Sequence, residues 1–103
     1  MCSSGGTTPT CPPSRVRFLV ICRPSPGYDP AEFAQRLPEE AAVLRWQKEQ
    51  GVLVDVWSPG GPGAVLMIEA ANRDSAAGFA AALPLRGAGL VTAEVIELHP
   101  VQL

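Results

Sequence analysis

Near its end the chain carries Val91-Thr92-Ala93-Glu94-Val95-Ile96-Glu97-Leu98, entered from a Leu83-Pro84-Leu85-Arg86 elbow and a Gly87/Gly89 turn and stopped by Pro100. Such a run reads as a strand, because β-branched side chains fit a pleated surface and proline cannot donate to a ladder. A strand placed there needs earlier strands to pair with. Arg15-Val16-Arg17-Phe18-Leu19-Val20-Ile21-Cys22-Arg23 alternates at first and then becomes continuously apolar, the pattern of a central strand covered on both faces. Val52 to Trp57 alternates with period two, which sets its valines on one face and Leu53, Asp55 and Trp57 on the other. After the glycine and proline loop Ser58-Pro59-Gly60-Gly61-Pro62-Gly63, Ala64 to Ala70 returns as the second arm of a long-looped hairpin.

Two helices separate these strands. Asp29-Pro30-Ala31-Glu32 supplies an N-cap acceptor, a proline at the first helical position and a glutamate three residues after the cap. Phe33, Leu37, Ala41 and Leu44 then make one stripe that must face the sheet. Pro38 falls inside the pattern and is expected to kink or split the helix. Asn72-Arg73-Asp74-Ser75 caps a second helix over Ala76 to Ala82, whose alanines and Phe79 allow close packing, and Pro84 is expected to end it. The order is β-α-β-β-α-β, an α+β sandwich.

A chain of 103 residues fits one small domain with a modest core, so association with copies of itself is expected. The formal net charge is −2, and the basic residues are scattered from Arg15 to Arg86 with no run that would track a phosphate backbone. Nucleic acid is therefore not an expected partner. Cys2, Cys11 and Cys22 are an odd set and no disulfide framework; Cys22, in an apolar run, reads as a small buried hydrophobe. The glycine loop lacks a Gly-Lys-Ser/Thr ending and leads into a strand, which argues against a phosphate cradle. No apolar run reaches the ~20 residues of a membrane span, and the N-terminus lacks a basic start followed by an apolar core, so a cytoplasmic location is expected. Residues 1–14, rich in Ser, Thr, Gly and Pro, are expected to be a disordered tail, with the folded domain over 15–103.

From about Arg17 to Pro100, the order of elements, the Leu83-Pro84-Leu85 elbow and the terminal His99-Pro100 resemble the muconolactone delta-isomerases. The resemblance implies a ferredoxin-like protomer with an antiparallel four-stranded sheet that pairs with a second copy into a dimeric α/β barrel. It also implies cofactor-free chemistry, in which a proton is removed beside a lactone carbonyl and returned elsewhere so that the ring double bond moves. The same barrel hosts monooxygenases, cyclases and dehalogenases, so fold alone does not choose among them. Two positions depart from the isomerase pattern: Val43 stands where it has a tyrosine and Ile21 where it has an arginine. Those losses weigh against the family's own lactone as substrate.

Proton transfer needs a base whose pKa is raised toward neutrality and a donor for the enolate oxygen. Glu40, three residues after Leu37 and four before Leu44, falls on or beside the buried stripe and matches a glutamate of the isomerase pattern; the plainer reading is a surface pair with Arg36. Asp55, mid-strand between Leu53 and Trp57, is disfavoured there unless it meets a cavity or a partner, and the isomerase pattern has a histidine at that place. Trp57 is a candidate pocket wall or plain core, and Arg23 a candidate oxyanion partner or a solvated cation. His99 matches the terminal His-Pro, with a structural role as its alternative, and Tyr28 beside the helix cap is a candidate cover for the cavity. The expected activity is an isomerase or cyclase acting on a small lactone or polyketide-like enone. The alternatives are a cofactor-independent monooxygenase with an aromatic substrate against Trp57 and a non-catalytic binding or assembly subunit.

Overall fold

The computed structural model describes residues 15–101. The expected tail at 1–14, with Cys2 and Cys11, lies outside the described residues. Four strands, β1 (Val16–Pro24), β2 (Leu53–Trp57), β3 (Ala64–Ala70) and β4 (Val91–Leu98), form one sheet in the order β2-β3-β1-β4. Every neighbouring pair is antiparallel. The helices are α1 (Pro30–Glu49), α2 (Arg73–Ala81) and a short α3 (Pro84–Gly87). The architecture is α+β and compatible with a ferredoxin-like fold. Among the described residues no helix is long and apolar enough to cross a membrane.

Period-two alternation sorts β1 between two environments. Phe18, Val20 and Cys22 are buried under the helices, joined from β3 by Leu66 and Ile68. Phe18, Val20, Leu66, Ile68 and Leu83 are almost wholly removed from water, each contributing about 1.5–3 kcal/mol of burial free energy. α1 packs on α3 and β2, and α2 on β3 and β4. In α2 the buried Ala76 and Ala80 let the helix axis approach the sheet, with Phe79 between them. Both long helices are capped as their sequences require: Asp29 accepts from the Ala31 N–H at 2.9 Å, and Asn72 from the Ser75 N–H at 2.9 Å.

The other face of the sheet carries the remaining alternate residues. By register Leu19 lies beside both Met67 and Ile96, and Ile21 beside Val65. Two ion pairs flank this strip, Arg17 with Glu69 at 3.2 Å and Arg23 with Glu94 at 2.9 Å. Among the described residues no helix packs on this face, so β1, expected from its apolar run to be covered on both faces, is covered by helices on one.

Two local expectations are refined and one is corrected. Pro38 does not split α1, which runs unbroken for 20 residues; the proline and Ala34, whose carbonyl it leaves without a helical donor, are both exposed, so water can take that bond. Pro84 ends α2 but also begins α3, because its fixed φ and missing N–H suit a first helical position. Within β2 the pairing shifts between Leu53 and Asp55, so that Leu53 opposes Ile68 while Asp55 opposes Met67. This bulge at Val54 turns Asp55 and Trp57 to the face opposite Leu53, contrary to strict alternation.

Candidate functional site

Glu40 is the one buried charged side chain among the described residues, 7% exposed. The apolar stripe of α1 carries it inward, where its Oε1 accepts the backbone N–H of Leu85 at 3.0 Å. Leu85 is the second residue of α3, and the N-cap residue Leu83 offers that helix no side-chain acceptor. Glu40 therefore satisfies a donor that the short helix leaves open. Arg36, the partner expected at i,i+4, pairs instead with Glu32 at 3.6 Å and Glu39 at 3.9 Å. Burial holds the Glu40 carboxyl above its ordinary pKa, the Leu85 N–H works in the opposite direction, and the neighbouring Glu39 charge adds a smaller upward push.

Beside this carboxyl lies a cavity of about 290 Å³ between α1, α3 and the sheet. Phe33, Leu44, Leu85 and Val91 give it apolar walls, while Leu37 and the Gly61-Pro62-Gly63 turn stand at its rim. Cys22 reaches it from β1, and its thiol is pushed up to about 11, first by burial and then by the Glu40 charge. The thiol therefore stays protonated at neutral pH and offers a weak hydrogen-bond donor. Gly63 has φ of +108°, and a Cβ there would collide with the Cys22 carbonyl oxygen. Only glycine lets the loop pass this close to β1.

The other candidates stand elsewhere. Asp55 is exposed on the open face of an edge strand, with the Trp57 indole 48% exposed on the same face. The desolvated aspartate expected from the sequence is not found within the chain, because the bulge at Val54 turns it away from the helices. Arg23, bound to Glu94 on that face, does not converge with Glu40. His99 is exposed, its Nε2 3.3 Å from a Glu97 carboxylate that also meets Arg73 at 3.5 Å. Tyr28 packs edge-on against Phe33 with ring centroids 5.4 Å apart, and so stands behind a cavity wall.

Chemically, the cavity offers a carboxyl with a raised pKa, a neutral thiol and apolar walls, which suit proton transfer to and from carbon. Sequence reasoning found Glu40 but missed Cys22 as its neighbour in the cavity and Leu85 as its anchor. The apolar run around Cys22 signalled burial; nothing in sequence signalled a backbone N–H 45 residues away. Among the described residues no group of three or more His, Cys, Asp and Glu is placed to hold a metal ion. No protein-family model matches the chain, and no curated protein matches it.

Proposed function

We propose that this protein is a cofactor-free isomerase or cyclase, similar to the muconolactone delta-isomerases, that moves a proton and a double bond on a small lactone or polyketide-like enone. The observation that carries the reading is the buried Glu40 carboxyl beside an apolar cavity. As carboxylate, Glu40 takes a proton from the carbon next to the carbonyl or conjugated with it, and the C–H electron pair delocalises onto the carbonyl oxygen. The resulting acid returns the proton to a different carbon, so the double bond shifts and no atom is gained or lost. A raised pKa suits both halves of this cycle, since it makes the carboxylate a better base and keeps the acid competent to donate. The Leu85 N–H holds the side chain in place, and the apolar walls limit loss of the proton to water.

The same reading assigns the open sheet face to a second copy of the chain. The strip of Leu19, Ile21, Val65, Met67 and Ile96 suits an apolar contact core, and the Arg17–Glu69 and Arg23–Glu94 pairs suit its polar rim. Pairing there would close a barrel and cover Asp55 and Trp57.

The test is incubation of a panel of unsaturated γ-lactones and enones with the protein in deuterated water, following carbon-bound deuterium by NMR. Wild type is expected to catalyse exchange, and Glu40→Gln to lose at least about a hundredfold of it, whereas Asp55→Asn keeps it. Equal exchange by wild type and Glu40→Gln rejects the assignment. One observation favours a non-catalytic binding subunit instead: the Glu40–Leu85 hydrogen bond gives the glutamate a structural task. That reading predicts ligand binding without exchange by wild type.

A further inference from the structure

The charge pattern around the Glu40 cavity also bears on what enters it. All eight Arg and Lys residues and His99 lie within the described residues, and none of them lines the cavity. Arg17, Arg23, Arg36 and Arg73 are engaged with carboxylates elsewhere. Arg15 lies at the start of β1 against other grooves, and Arg45, Lys48 and Arg86 are exposed to solvent. Among the described residues, the ionisable side chains at the cavity are Glu40 and Cys22, which are anionic or neutral.

We infer that the ligand of this cavity is uncharged: a neutral lactone or enone with a single small ring and short apolar substituents, not a carboxylated one. This inference rests on the Glu40 cavity being the binding site. An anionic ligand would bring a second negative charge beside a buried carboxylate with no cation to compensate either, a costly arrangement in apolar surroundings. A neutral carbonyl can instead accept from the protonated Cys22 thiol while its ring fills the space between Phe33, Leu44 and Val91. The size follows from the cavity, which at about 290 Å³ stands at the lower edge of the roughly 300–1,000 Å³ span of ligand pockets.

The experiment uses a matched pair, a butenolide bearing a free carboxymethyl group and its methyl ester, titrated at neutral pH into the isotopically labelled full chain. The backbone amides of Leu85 and Gly63 report entry. The ester is expected to shift both and to bind at least about tenfold more tightly than the acid. Acid binding as tight as ester binding, or failure of the ester to move the Leu85 amide, overturns the inference. Ester binding without deuterium exchange would overturn the proposed chemistry and leave the neutral-ligand inference standing; exchange on the acid alone would do the reverse.

Discussion

Glu40 is anchored by one hydrogen bond and desolvated on its remaining sides, and the balance has a measurable sign. Burial favours its protonated form in the folded chain, so the folded state holds the proton to higher pH than an unfolded carboxyl with the ordinary value of 4.5. That preference supports folding below 4.5 and is lost as pH rises through the higher folded-state value. Glu40→Gln removes the titration while keeping an oxygen for the Leu85 N–H. Its stability relative to wild type is therefore predicted, in urea denaturation, to improve as pH rises from 4.5 through the folded-state value and then to level off, and a constant difference would contradict this. Cys22 gives an independent probe of the same cavity. With its thiol raised from 9.0 to about 11, roughly a hundredfold less thiolate is present at neutral pH than for an unburied cysteine. Alkylation mapped by mass spectrometry is predicted to label Cys22 slowly in the folded protein and quickly in urea. Rapid labelling of the folded state would place the thiol in water.

At the scale of elements, the rim of the cavity depends on Gly63. Gly63→Ala places a methyl group against the Cys22 carbonyl at a positive φ and is predicted to cost about 1–3 kcal/mol, while Gly61→Ala, with open space around it, stays within about 0.5 kcal/mol of wild type. Thermal melts of the two variants decide this; similar losses would deny the close approach. These elements were legible in the sequence to unequal degrees. Strands β1, β3 and β4 announce themselves through β-branched runs fenced by proline and glycine, and the Asp29 cap marks the start of α1, whereas α2, expected over Ala76 to Ala82, begins three residues earlier at Arg73, directly after its Asn72 cap. The spacing of Glu40 to Leu37 and Leu44 set it on or beside the stripe but left a surface pair with Arg36 equally open, and Leu37, expected to face the sheet, is itself 45% exposed. The orientation of Asp55 was not legible, because a bulge at Val54 adds one residue on β2 against its partner and leaves no compositional trace. Nor was α3, since Leu-Pro-Leu serves equally as an elbow or as a helix start, and its stabilising partner Glu40 comes from a distant helix.

For the whole molecule, the uncovered strip centred on Leu19 and Met67 sets the expectation of a second copy. Wild type is predicted to sediment as a dimer, and Met67→Glu, which puts a charge in the middle of the strip, as a folded monomer with unchanged circular dichroism. A wild type that remains monomeric at high concentration would remove the barrel from the proposal. Glu40 lies on the opposite side of the sheet, enclosed by its own chain's helices, so its desolvation does not wait on that assembly. The most direct test of the proton-transfer reading is therefore the titration of the Glu40 side-chain carboxyl followed by carbon-13 NMR. A midpoint clearly above 4.5 is predicted; a midpoint at or below 4.5 would mean that the carboxyl is well solvated or fully compensated, and would contradict its role as the base.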